Sequence, residues 1–374
     1  MRSLPGRNEL RLLPVPASFL SSRRPSHPQR IAVFRALQLG DMLLSVPALR
    51  ALRQHFPAAE ITLIGLPWAS SFVARYAHYI DRFVEFAGYP GIDEVPLDDG
   101  RIAQFLAEQR AYGYDLTIQM HGSGRTSNPF IQALGARMTA GYHEPGTPTS
   151  LSYSLPYPDD AHEIERNLRL ARLLGCTDAS SRLEFPLFEN DFADATRLLT
   201  SLGLEHTPSP LIALHVGARP PARRWLADSF AAVADALVQR YGAHILLTGS
   251  PGEEQTVEPV ARQMHMPAFT LVGRTSLGSL AALLTRLDLF ISNDTGPSHV
   301  ACAVDCPSVT IFGPADYGRW RPLDDTHHKT VRHPVACSPC GSWECPIDHR
   351  CLRGISPDDV LSVAHSLLTK EIHA

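Results

Sequence analysis

Four groups of residues in this chain have types and spacings that can do chemistry. Asp294-Thr295-Gly296-Pro297-Ser298-His299 is a polar turn between a short apolar run and a helical pattern. The first N–H groups of a helix lack backbone partners, and with the helix dipole they form a ready anion site. Thr295 and Gly296 would supply hydroxyl and N–H donors, Asp294 would cap the turn, and His299 would face the same mouth. An ordinary βαβ connection has the same spacing, so spacing alone leaves both readings open. The second group is the loop Gly217 to Trp225, which holds Arg219, Arg223 and Arg224. A guanidinium forks onto phosphate oxygens, which suits a diphosphate; a solvated basic loop is the alternative. Asp41, ahead of an apolar helix, is either an N-cap or a carboxylate base. Cys337, Cys340, Cys345 and Cys351 follow C-x2-C-x4-C-x5-C. Four thiolates would take zinc tetrahedrally or hold iron, and an all-cysteine shell leaves no open position for catalysis. Free thiols are the other reading.

The elements that must position these groups alternate between strand and helix. Arg30 to Arg35 reads as a strand, Gly40-Asp41 as a turn, and Leu43, Val46, Leu49 and Leu52 recur at helical spacing. Ile61 to Gly65 is the next strand. Tyr114 to Gln119 is another, ending in the glycine-rich loop that carries His121 and Arg125. Those two side chains would bind an anionic acceptor or simply decorate the loop. An amphipathic helix runs from His162 to about Leu174, and another from Phe192 to Leu202. The second half repeats the pattern: strand Leu211 to Val216, helix Asp228 to Tyr241, strand His244 to Thr248, then strands Leu289 to Ser292 and Ser308 to Phe312 around the polar turn. In the turn after Thr248, a carboxylate could accept both ribose hydroxyls, or Glu253 and Glu254 could be first-turn helix acids. Close strand–helix–strand spacing predicts doubly wound parallel sheets.

The chain has 374 residues, enough for two domains, and a formal net charge of -4. That charge supplies no basic field for nucleic acid. No apolar run reaches the roughly 18 residues a membrane helix needs. Residues 1–29 mix Pro, Ser and Arg without a continuous apolar core and read as a flexible arm, not a secretory signal. A basic arm touching an acidic membrane surface is the weaker reading. A reducing cytoplasm is the default location, which argues against disulfides among the seven cysteines.

DTGPSH followed by an apolar helix and a strand ending in Phe312-Gly313-Pro314 resembles the signature of the family 9 glycosyltransferases, the heptosyltransferase family. Near the other end, the Arg-containing strand, Leu39-Gly40-Asp41, and the Pro47-Ala48-Leu49-Arg50 helix ending in Phe56-Pro57 resemble that family's N-terminal motif. His162 and Asn167 are similar to its HxxxxN segment, and Leu271 to Leu277 also matches. The resemblance covers nearly everything after residue 30. It implies the GT-B fold: two Rossmann-like doubly wound parallel-sheet domains facing a cleft. The expected layout is an arm (1–29), an acceptor-side domain (30–190), a linker (191–209), a nucleotide-sugar domain (210–356), and a C-terminal helix (357–374) packing back toward the first domain.

The resemblance also implies roles. Asp41 takes the place of the family's proposed catalytic base. Arg223 stands where the family usually has a phosphate-contacting Lys, with Arg224 beside it. Glu253 would hold the ribose, with Glu254 as second choice, and Val272 would edge the base. Asp294, Thr295, Gly296 and His299 complete the nucleotide-sugar site; His121 and Arg125 lie on the acceptor side. The implied reaction is inverting transfer of a sugar, heptose from ADP-heptose, to a lipopolysaccharide core or other glycan acceptor. No cofactor is required for catalysis, and no Asp-x-Asp metal motif is present. Alternatives are heptosylation of protein serine, another nucleotide sugar, or a non-catalytic sugar-nucleotide-binding subunit. The expected location is cytoplasmic, with peripheral contact at the inner membrane.

Overall fold

The computed structural model describes residues 27–177 and 180–371. Most of the expected N-terminal arm therefore lies outside the described residues. The chain divides into two compact units: Met1–Leu37 with Pro47–Ser181, and Gln38–Val46 with Arg182–Ala374.

From the N-terminal side the elements are β1 (Arg30–Phe34), α1 (Leu39–Leu43), α2 (Val46–His55), β2 (Glu60–Gly65), α3 (Ala69–Arg75), β3 (Arg82–Glu85), α4 (Asp99–Tyr112), β4 (Leu116–Gln119), α5 (Ser127–Ala133), β5 (Met138–His143), β6 (Tyr153–Pro156) and α6 (Glu163–Leu173). The six strands of the first sheet run in the order β3-β2-β1-β4-β5-β6, with every pairing parallel. Ile31 to Phe34 are all buried, as a strand covered on both faces requires.

The second unit continues with α7 (Glu189–Ser201), β7 (Leu211–His215), α8 (Ala227–Tyr241), β8 (His244–Thr248), α9 (Glu254–Gln263), β9 (Ala268–Thr270), α10 (Leu277–Leu284), β10 (Leu289–Asn293), α11 (Gly296–Ala303), β11 (Ser308–Phe312), α12 (Tyr317–Trp320), β12 (His328–Arg332), α13 (Arg350–Arg353) and α14 (Pro357–Glu371). Its sheet has the order β12-β11-β10-β7-β8-β9, again all parallel. Each sheet thus reverses its winding once, between β1 and β4 and between β7 and β10. In open α/β sheets a ligand crevice opens at that reversal, beyond the carboxyl ends of the strands. Two Rossmann-like doubly wound units are the fold the sequence implied.

Two local features differ from the sequence reading. Gly40 and Asp41 lie inside α1, whose N-cap is Gln38, so Asp41 is a first-turn residue and not the cap. The helix then breaks before Pro47, whose ring cannot follow an uninterrupted turn. The stretch expected to be a linker contains most of α7, which packs on α10 and buries Ala195, Leu198 and Leu199 in the second unit. The division instead falls between Ser181 and Arg182. The C-terminal helix packs on α8 and the second sheet. Its Val360, Ala364, Leu367 and Leu368 join the second unit's core beside Val309 and Ile311. Among the described residues, no helix is long and apolar enough to cross a membrane.

Candidate active site

A cavity of about 440 Å³ opens in the second unit at the reversal between β7 and β10. Its walls come from Gln38 to Asp41, the Arg219–Arg223 loop after β7, the Asp294–His299 turn after β10, Trp320 and Trp343.

The polar turn is assembled as its spacing suggested, with a different role for the acid. Thr295 is the N-cap of α11 and its hydroxyl makes no cap bond, so it stays available to a ligand. Asp294 does not cap. It is 3 % exposed and accepts a hydrogen bond from Arg223 Nη1 at 3.0 Å. Burial pushes its carboxyl up to about 6; Arg223 opposes the shift and the nearby Asp41 charge adds to it.

Asn293, read as turn chemistry, is fully buried and works as a clamp. Its Nδ2 donates to the Val216 carbonyl, and its Oδ1 accepts from the Trp225 N–H, both at 2.9 Å. One amide therefore pins both ends of the arginine loop to β10. Within that loop Arg223 closes a 3-10 turn at Pro221–Arg223 and lines the cavity. Arg224 instead donates through Nε to the Ala218 carbonyl at 2.9 Å, bracing its own loop. Exposed Arg219, one of the three loop arginines read as suiting a diphosphate, lines the cavity too.

Asp41 reaches this cavity because the Gln38–Val46 segment belongs to the second unit. Helix α1 lies close against α11: a Cβ on Gly40 would stand 2.9 Å from His299 Cδ2. Only glycine permits that approach. His299 is buried on α11 and lines the same cavity, and Asp41 is half-buried there.

Glu253 and Val272 sit apart from this cavity, at the ends of β7 and β8. A Cβ on Gly217 would fall 2.1 Å from Glu253 Oε1, so the carboxylate occupies the space that glycine leaves open. Its other oxygen accepts from the Ser250 N–H and hydroxyl, each at 2.7 Å. Val272 Cγ2 and Glu253 Cβ both approach Gly249. Glu254 points its exposed side to solvent at the start of α9. Deeper in, His215 is buried beside Thr248 Oγ1 at 3.1 Å, and burial holds its imidazole below the ordinary range, with Glu253 opposing.

In the first unit, His121 follows β4 at that sheet's reversal. Its Nδ1 accepts from the Ala36 N–H at 3.3 Å, its Nε2 lies 3.3 Å from Glu94, and its ring stacks on Phe34. Glu94 carried no signal in the sequence. Arg125 is 75 % exposed and pairs with Glu144 at 2.9 Å. Nearby, His162 caps α6 by accepting from Ile164 N–H, and Arg35, 1 % exposed, bonds Glu163 at 2.9 Å and Asn167 at 3.3 Å. The His162–Asn167 segment therefore braces the end of β1.

Cys337, Cys340, Cys345 and Cys351 all line one small cavity of about 20 Å³. Cys345 Sγ accepts from the His349 N–H at 3.2 Å, and backbone N–H groups of Ile347 and His349 lower its thiol's pKa. Even so, no group of three or more His, Cys, Asp or Glu side chains among the described residues is arranged to hold a metal ion.

A family model, glycosyltransferase family 9 (heptosyltransferase), matches residues 102–350. The chain is 29 % identical to the lipopolysaccharide heptosyltransferase 3 of Escherichia coli (strain K12) over 294 residues, covering 76 % of this chain and 82 % of the relative. Among solved structures it is similar to a family 9 glycosyl transferase from Veillonella parvula DSM 2008, with a TM-score of 0.74, 26 % identity, and 91 % and 97 % of the two chains covered. It shares its fold with the E. coli ADP-heptose lps heptosyltransferase II, with a TM-score of 0.71 at 20 % identity, covering 91 % and 99 %.

Proposed function

The chain belongs to glycosyltransferase family 9, the heptosyltransferase family, and from that premise we propose that it moves heptose from ADP-heptose to a lipopolysaccharide core acceptor with inversion. The observation that carries this reading is one cavity lined by Asp41, Arg223, Thr295, Gly296 and His299. A base and a diphosphate grip share one space there. Arg223, the Thr295 hydroxyl, the Gly296 N–H and the α11 dipole meet the negative charge that grows on the departing diphosphate. Glu253 accepts the ribose hydroxyls, Val272 edges the adenine, and Arg224 holds the arginine loop in place.

The acceptor hydroxyl attacks the anomeric carbon from the face opposite the diphosphate. Its oxygen forms the new bond as the C–O bond to phosphate breaks, and its proton passes to Asp41. A carboxylate is a weak base, so it helps chiefly in the transition state, when that hydroxyl has become acidic. Asp294, buried and paired with Arg223, is less free than Asp41 to reach the acceptor hydroxyl. His121 and Arg125 serve the acceptor side.

The four cysteines are proposed to close on a structural zinc or iron ion, for which the support is their shared cavity and the donors around Cys345. The enzyme works in the cytoplasm, peripheral to the inner membrane that carries its acceptor.

The test is to incubate the protein with ADP-heptose and a heptose-deficient lipopolysaccharide core, following ADP release and acceptor mass. A mass gain of one heptose with stoichiometric ADP is expected. Transfer only from other nucleotide sugars, or binding of ADP-heptose without turnover, overturns the assignment. Elemental analysis expects close to one zinc or iron per chain; a metal-free protein whose melting temperature ignores chelators removes the structural metal.

A further inference from the structure

Trp343 is 56 % exposed, a large hydrophobic side chain left to solvent, yet it is not on a free loop. It lies between Cys340 and Cys345, and its carbonyl accepts from the Ala222 N–H at 3.1 Å. The Cys340 N–H donates to the Pro314 carbonyl at 2.8 Å, and Ser338 Oγ donates to the Gly313 carbonyl at 3.1 Å. The loop is therefore tethered at the end of β11 and to the arginine loop. Trp343 lines the same cavity as Asp41, Arg219 and Arg223, so its ring is placed to touch what fills that cavity.

Ala222 is the hinge of this arrangement. It is buried, lines the four-thiol cavity, bonds Trp343, and immediately precedes Arg223. The cysteine loop and the phosphate grip thus meet at one residue. On the cavity side, the Arg219 guanidinium lies 6.0 Å from the Trp343 ring centroid, the outer range of a cation–π contact. Trp320 supplies a second aromatic wall.

The contents of the cavity decide what Trp343 would touch. Glu253 and Val272, assigned to ribose and base, lie outside it; Asp41, assigned to the reacting hydroxyl, lies inside. On those assignments, the space beside Asp41 beyond the arginines falls to the transferred sugar. A diphosphate held by Arg219 and Arg223 would lay that sugar against the indole face.

We propose that Trp343, presented by the four-cysteine loop, is a sugar-contacting, specificity-determining residue of the donor site. This rests on the function proposed above. Sugars offer an apolar C–H face that an indole covers well, while the ring needs few ordered bonds of its own. Held by the bonds to Ala222, Pro314 and Gly313, Trp343 would contribute to affinity for the intact nucleotide sugar and nothing to affinity for ADP.

The test compares native protein, Trp343→Ala and Trp343→Phe by calorimetry with ADP and with ADP-heptose, and by steady-state kinetics. Trp343→Ala is expected to weaken ADP-heptose binding and raise donor KM by roughly three- to tenfold, with the ADP Kd and acceptor KM unchanged. Trp343→Phe is expected to recover most of the loss. Acrylamide quenching of tryptophan fluorescence should fall on adding ADP-heptose and much less on adding ADP. The inference is overturned by equal losses for ADP and ADP-heptose, by a shift in acceptor KM alone, by a Phe variant as weak as Ala, or by no change. If the native protein fails to bind ADP-heptose at all, the functional reading falls first and takes this with it.

Discussion

Arg223 and Asp294 are joined by a 3.0 Å ion pair in which the arginine is 34 % exposed and the aspartate 3 %. The arginine keeps one face toward the cavity while its other face neutralises a carboxylate that has little access to water. A diphosphate would therefore meet an arginine already oriented, though partly engaged.

Arg223→Ala should weaken ADP binding by about 10- to 100-fold, the worth of one or two charge-assisted hydrogen bonds. Calorimetry reads this directly. An unchanged Kd would remove Arg223 from the phosphate site.

The same pair sets a pH dependence. The Asp294 carboxyl is raised from 3.8 to about 6, above its unfolded value, so between those limits the folded state holds more protons than the unfolded one. Stability from this group is complete below pH 3.8 and lost as pH rises through 6, a change on the order of 3 kcal/mol. Asp294→Asn has no such titration. Urea unfolding should show the variant gaining on native protein between pH 4 and pH 8; parallel curves would sink the account.

Asp41→Asn should lower kcat by about 10²- to 10⁴-fold, the usual worth of a positioned base. ADP affinity should hold or tighten slightly, because a negative charge has left the cavity. Near-native turnover in a stopped-flow assay would exclude Asp41 from the proton transfer.

Asn293→Ala removes the amide that joins Val216 and Trp225. Leaving buried backbone groups without partners costs about 1–3 kcal/mol each. Denaturant midpoints should fall accordingly, and donor KM should rise as the arginine loop loosens. A loss of stability with native KM would separate the clamp from the site.

Much of this was legible because parallel strands buried on both faces write themselves as continuous apolar runs. Leu211 to Val216, His244 to Thr248 and Ser308 to Phe312 were found within a residue of their observed ends. Strands β3, β5, β6, β9 and β12 carry weaker patterns, and β3, β6, β9 and β12 are the edge strands of their sheets. The turn around Asp294 could be placed but not its partners: nothing local says that Asp294 bonds an arginine 71 positions away. Asn293 looked like turn chemistry because its type suits a turn, whereas burial made it a cross-strand clamp. Trp343 was hidden by its cysteines, which drew the reading toward metal.

The Gln38–Val46 segment has a consequence for recombination. Sequence places it in the first half of the gene, but its neighbours, Gly296 and His299, are encoded in the second. A chimera spliced at Arg182 from two relatives would therefore seat one parent's Leu39-Gly40-Asp41 on the other parent's α11. Such hybrids should work only when the donor of the front half has a residue as small as glycine at position 40, however well the two sheets fold.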